Sequence, residues 1–188
     1  MKLLFCLGNP GSEYSGTRHN IGFASADFYA RQKGTKFIAK PKFKALIAEF
    51  TSDEKIIIAK PTTFYNQVGE SYRAICDFYK LEPNDTLIVH DELALPFGTL
   101  RTRVGGSDAG NNGIKSINQH GGQDSLRLRV GVANALRARI GDVDFVLGRF
   151  TQEEQTALDD TKLPKIAELL DSFVAENHAI TSHRVIDN

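Results

Sequence analysis

One imidazole and two side-chain amides stand close together in the run Leu7-Gly8-Asn9-Pro10-Gly11, which continues through Glu13-Tyr14 to Thr17-Arg18-His19-Asn20. All three groups are polar and neutral at pH 7, which suits them to take a proton and to donate hydrogen bonds to a carbonyl. A purely structural use also exists, with Asn9 making a turn and Asn20 capping a helix. Asp91 follows the apolar run Leu87-Ile88-Val89 far along the chain. A carboxylate there can accept from one imidazole nitrogen of His19 and leave the other to take a proton from water. Asparagine N–H groups can then donate to the oxygen of a tetrahedral intermediate. The chemistry would be water attack on an ester or an amide. A plain strand end at His90-Asp91-Glu92 is the competing reading.

Other chemistries find less support. There is no GxSxG elbow, and neither Cys6 nor Cys76 has a neighbouring His in the sequence, so a covalent mechanism is not expected. Residues 8–16 do not match GxGxxG and no GxxxxGK[ST] occurs, which weakens dinucleotide and P-loop readings. His19, His90, His120, His178 and His183 show no HExxH or comparable spacing, so neither a metal nor a cofactor is expected. The two cysteines read as buried free thiols.

These groups depend on the elements that carry them. Residues 2–7 (KLLFCL) read as a buried strand stopped by Gly8-Asn9-Pro10-Gly11. Ile21, Ala24, Phe28 and Tyr29 then recur at helical spacing, with Gly34 at the C-terminal end, so Arg18-His19-Asn20 lies at the mouth of a helix. Ala45–Phe50 and Lys55–Lys60 form an expected hairpin through residues 51–54, and Ile56-Ile57-Ile58-Ala59 is apolar enough for a central strand. Residues 62–66 follow as a loop ahead of a helix bearing Val68, Tyr72 and Ile75. Beyond Leu87-Ile88-Val89, residues 95–98 read as a turn-rich exit.

Alternation over Thr99–Val104 puts Arg101 and Arg103 on one strand face, and a second alternation carries Arg127 and Arg129. Between them residues 105–113 lead into a short helix with Ile114 and Ile117, whose start would present free backbone N–H groups. Residues 142–150 read as a short helix and turn. Thr151-Gln152-Glu153-Glu154 matches a capping box, and the helix after it is broken or kinked at Pro164. Alternating strands and helices predict a single α/β domain over 1–188, with a twisted mixed, largely parallel sheet flanked by helices. Ligands on such sheets gather at the carboxyl ends of strands, where Asn9, Asn66 and Asp91 would meet.

Composition agrees with an ordinary globule: 41% hydrophobic and 24% charged residues, with a net charge of zero. No apolar run nears the ~20 residues that span a bilayer and no signal-peptide pattern is present, which points to the cytoplasm and away from membranes. The charge is segregated. Over 101–149 Arg101, Arg103, Lys115, Arg127, Arg129, Arg137, Arg139 and Arg149 outweigh Asp108, Asp124, Asp142 and Asp144, whereas 151–177 is mainly acidic. A basic face can attract phosphates on a neutral protein.

LGNPGSEYSGTRHNIGF, PTTFYNQVGES, VHDELALPFG and NNGIKSI, in this order and spacing, resemble the bacterial peptidyl-tRNA hydrolase family over nearly the whole chain. The resemblance implies a mixed sheet wrapped by helices, a monomer, and cleavage of the ester joining a peptide to the ribose of tRNA. It implies that His19 is the general base and that Asp91 orients it. Asn9, Asn66 and Asn112 would hold the peptide and place the water, with Tyr14 on the cleft wall. The family's basic pair that clamps a tRNA phosphate falls on Arg103 and Arg129.

Two departures from the family pattern touch the expected site. Tyr65 replaces a usual Met before Asn66, changing the pocket wall, and Asn111 stands where His is common, in a segment with fewer glycines than many relatives. Asn134-Ala135-Leu136 also replaces a more usual Arg-Pro or His-Pro. Two other classes of function remain to be weighed: a non-catalytic RNA-binding protein on the same fold, and a Rossmann-like nucleotide-binding enzyme.

Overall fold

The longest apolar runs become the strands buried on both sides. The computed structural model describes residues 1–177, 180 and 182–184. In it β1 (Lys2–Cys6) is buried along its whole length and pairs in parallel with β4 (Lys55–Pro61) on one side and β5 (Thr86–Pro96) on the other. Next to β5, β7 (Leu126–Ala133) is also parallel. The edges turn antiparallel: β3 (Ala45–Thr51) and β2 (Ile38–Lys40) beyond β4, β6 (Thr99–Val104) and β8 (Ser182–Arg184) beyond β7. The sheet order is β2-β3-β4-β1-β5-β7-β6-β8. A continuous apolar run is what two-sided burial in the parallel centre requires.

Residue alternation divides the core into two layers. Leu4, Cys6, Ile58 and Val89 pack with α1 (Ile21–Gln32) and α7 (Leu163–Val174), whereas Leu3, Phe5, Ile57 and Ile88 pack with α2 (Val68–Tyr79) and α3 (Asn112–Gln119). The chain therefore leaves β1 toward one face and β4 toward the other. Such a divergence opens a crevice at the strand ends. Cys6 and Cys76 are buried free thiols, one in each layer, and burial pushes both thiols up, Cys76 to about 11.

Several elements differ from the sequence expectations. The strand of Leu87-Ile88-Val89 runs on through Pro96, its register with β7 shifting between Glu92 and Pro96, so residues 95–96 extend the strand before the turn. The short helix expected over 142–150 is α5 (Asp142–Leu147), and a further one-turn helix, α4 (Arg137–Ile140), precedes it. The capping box forms at α6 (Gln152–Ala157), where Thr151 accepts from the Glu154 N–H. A π-helical turn, Leu158–Lys162, then joins it to α7, and Pro164 sits in the first turn of α7, where its missing N–H costs nothing. The break thus falls ahead of the proline. His178 and the final residues of the expected domain, 185–188, lie outside the described residues.

Candidate active site

Three strand ends deliver the site. The β1 exit passes through two 3₁₀ turns, Ser12–Tyr14 and Arg18–Asn20, the second carrying His19 into α1. Asn20 does not cap α1 with its side chain. It spans the loop instead, accepting from the Asn9 N–H at 2.8 Å and donating Nδ2 to the Asn9 carbonyl at 2.9 Å. Both backbone groups of Asn9 are thereby satisfied and the GNPG turn is fixed against the His19 turn. Gly22 permits the closeness: a Cβ there would lie 2.4 Å from the Leu7 carbonyl oxygen.

Arg18 anchors the same turn from below. It is buried, and its guanidinium lies over the Phe145 ring with 4.4 Å to the centroid. One nitrogen donates to the Arg149 carbonyl at 2.5 Å and another pairs with Glu154 at 2.6 Å. In the sequence only its position beside His19 marks Arg18, because its partners lie more than a hundred residues away.

At the centre His19 Nδ1 meets Asp91 Oδ1 at 3.0 Å. A carboxylate acceptor places the proton on Nδ1, so Nε2 is the nitrogen left as base. Burial pushes the Asp91 carboxyl up, but the facing His19 charge and the hydrogen bonds from His19 and Tyr65 outweigh it and hold the group below the usual carboxylate range. His90, the neighbouring residue, is buried, which keeps its imidazole below the usual histidine range. Its Nδ1 lies 2.7 Å from the Asp91 carbonyl oxygen.

Tyr65 is buried against this pair. Its ring stacks on the His19 imidazole with 3.6 Å between centroids and 19° between planes. Its hydroxyl donates to Asp91 Oδ1 at 2.6 Å, and its backbone N–H donates to Asn9 Oδ1 at 2.8 Å. With Oδ1 so engaged, Nδ2 is the end of the Asn9 amide left to donate. Asn111 Nδ2 reaches the Tyr65 hydroxyl at 3.2 Å, while its Oδ1 accepts from the Gly113 and Ile114 N–H groups at 3.0 Å and caps α3. The start of α3 is therefore already capped by a side chain.

A cleft of about 550 Å³ opens over these groups. Asn9, Tyr14, His19, Tyr65, Asn66, Asp91 and Asn112 all line it, with Asn66 and Asn112 exposed toward solvent. Apolar Phe64, Val143 and Leu147 form part of its wall, and Arg137, bound to Asp142 at 2.6 Å, closes one side. A second cleft of about 570 Å³ shares Asn9, but its charged lining residues Asp27 and Lys60 pair with each other. The groups able to transfer a proton lie in the first.

Arg103 and Arg129 lie outside that cleft, around a small neighbouring cavity that shares Glu92 and Ala109 with it. The β6–β7 register sets Arg101 opposite Arg129 and Arg103 opposite Arg127, so four guanidinium groups belong to one sheet face. Arg103 is exposed, whereas Arg129 pairs with Glu92 at 2.9 Å. Among the described residues no group of three or more His, Cys, Asp or Glu could hold a metal ion, and no helix is long and apolar enough to cross a membrane.

A sequence model of the peptidyl-tRNA hydrolase family matches residues 3–186. The chain belongs to that family. It is 40% identical to the peptidyl-tRNA hydrolase of Ligilactobacillus salivarius over 98% of this chain and 99% of that one. It is 45% identical to that of Bacillus anthracis over 82% and 83% of the two chains. The solved peptidyl-tRNA hydrolase of Acinetobacter baumannii superposes with a TM-score of 0.79 at 33% identity, covering 94% of this chain and 92% of that one. The mixed α/β sheet with a parallel centre is thus the family's architecture, as the motifs implied.

Proposed function

We propose that this protein hydrolyses the ester between the peptide and the ribose of peptidyl-tRNA, with His19 as general base. The observation that carries the reading is the 3.0 Å His19–Asp91 bond at the floor of an amide-lined cleft in a chain of this family. His19 Nε2 takes a proton from water, and the resulting hydroxide adds to the ester carbonyl carbon. Charge builds on the carbonyl oxygen, where amide N–H donors of Asn9, Asn66 or Asn112 stabilise it. As the intermediate collapses the bond to the ribose oxygen breaks, and the proton held by His19 is at hand for that leaving oxygen. Asp91 keeps the imidazole in the required tautomer and steadies its charged form.

Tyr14, Tyr65, Asn66 and Asn112 bind the peptide end in this scheme, and Arg103 with Arg129 holds a tRNA phosphate. A phosphate at Arg129 would share that guanidinium with Glu92. The whole chain acts as one domain and as a monomer in the cytoplasm, needing no cofactor. The test is multiple turnover on an N-acyl-aminoacyl-tRNA by the purified protein in EDTA. Release of free tRNA in many-fold excess over protein is expected. Binding without release would favour a non-catalytic RNA-binding protein.

A further inference from the structure

We propose that Tyr65 and Asn111 form a positioning relay that sets how strongly Asp91 holds the proton-bearing form of His19. The inference rests on the catalytic reading of His19 and extends it. Asp91 Oδ1 accepts two hydrogen bonds, from His19 Nδ1 at 3.0 Å and from the Tyr65 hydroxyl at 2.6 Å. Both therefore draw on the same oxygen. The hydroxyl in turn receives Asn111 Nδ2 at 3.2 Å, closer than the 3.4 Å from that nitrogen to the Asp91 carbonyl oxygen, and Asn111 is held in that orientation by the two backbone N–H groups its Oδ1 accepts. Donation runs from the cap of α3 through a phenol to the carboxylate behind the imidazole.

The relay has a definite direction. Burial and the adjacent Asp91 charge push the Tyr65 hydroxyl well above its ordinary range, so it stays protonated and can only donate to the carboxylate. A donor on Oδ1 spreads the negative charge that would otherwise face His19 Nδ1–H. The imidazolium then faces less negative charge than it would beside an unshared carboxylate. The stacked ring adds a second constraint, because at 3.6 Å it fixes the plane of the imidazole.

Few other charges act on this imidazole. Glu92 and the buried His90 flank Asp91, Arg18 beside His19 is paired with Glu154, and across the cleft Arg137 is paired with Asp142. Tyr14 is the remaining titratable group on the cleft wall. The room for the relay is also built in: Gly113 faces Tyr65 so closely that a Cβ would lie 2.4 Å from the ring. Tyr65 and Asn111 meet only through this hydroxyl and amide, so each can be altered without removing the other.

The experiment compares the pH dependence of kcat/KM for the wild type, Tyr65→Phe, Asn111→Ser and the double variant. Tyr65→Phe keeps the ring and removes the donor; Asn111→Ser keeps a capping oxygen and withdraws the amide from the phenol. Thermal melting confirms that each variant is folded. The acidic limb of the Tyr65→Phe profile is expected to move to higher pH by roughly one unit. Asn111→Ser should move it less and in the same direction, and should add nothing once the hydroxyl is gone. A Tyr65→Phe limb superimposable on the wild type overturns the proposal, as does a full additional shift in the double variant. Imidazole NMR titration supplies a readout independent of turnover. If the wild type releases no tRNA, the catalytic reading fails, while a shifted His19 titration in Tyr65→Phe still supports the relay and an unshifted one rejects it.

Discussion

At the scale of single residues, the site is built by stripping alternatives from each polar group. Asn9 has both its backbone groups and its Oδ1 occupied, and Asp91 Oδ1 is filled by two donors. His19, Asp91, Asn9 and Asn66 were legible in the sequence because each lies just beyond an apolar strand or at a helix mouth. Tyr65 was visible only as a departure from a motif. Nothing in its spacing reveals that its ring lies on His19, since that depends on the turn after β4 and on the absent side chain of Gly113.

The same packing makes stability depend on pH. His90 is held below the histidine range by burial, so the unfolded chain binds its proton more readily than the folded one. Stability from this group is full above about pH 6.5 and is lost as pH falls through the lower folded value. Asp91, also held low, contributes above about pH 4 and loses its contribution on further acidification. Thermal midpoints should decline from about pH 6.5 downward in two stages, and His90→Asn should weaken the upper one. A wild-type midpoint that is flat between pH 7 and 5 would contradict the assignment to His90.

At the scale of elements, His19 is held less by its own helix than by the segment that follows β7. Arg18 N donates to the Gly148 carbonyl at 3.0 Å, Thr17 bridges to Arg149, and the Arg18 guanidinium is shared among Phe145, Arg149 and Glu154. Removing one partner of a buried ion pair leaves the other uncompensated, at a cost of about 3–5 kcal/mol. Arg18→Ala should therefore lower the thermal midpoint by roughly 10 °C and slow turnover. Arg18→Lys should rescue little, because a lysine offers neither the planar fork nor the stacking face. Differential scanning calorimetry checks both; an Arg18→Ala midpoint within a degree or two of wild type would remove Arg18 from this role.

Element boundaries were legible where periodicity was long and lost where it was short. Strands β1 and β4, helices α1 and α2 and the capping box at Thr151 follow from pattern alone. The three-residue edge strands β2 and β8 offer too few residues to alternate, and Ile38 of β2 is largely exposed. The π-helical turn ahead of Pro164 answers to packing of Leu158 and Leu163 in the core and leaves no mark in composition.

At the scale of the whole molecule, a net charge of zero conceals a positive face on β6 and β7 next to the cleft. Its guanidinium groups crowd one another. Arg127 is pushed below the usual arginine range, first by burial and then by Arg103 and Arg129. Such a face gains from an incoming phosphate. Arg103→Ala should weaken a full tRNA substrate and flatten its salt dependence, while leaving a minimal ester without the tRNA body almost unaffected. Equal losses on the two substrates would argue against a phosphate clamp.

The proposed role of His19 as the base is tested most directly by single-turnover kinetics of His19→Ala on an N-acyl-aminoacyl-tRNA under saturating protein. The chemical step should fall by roughly 10²-fold or more with binding retained. Turnover close to wild type would contradict the account.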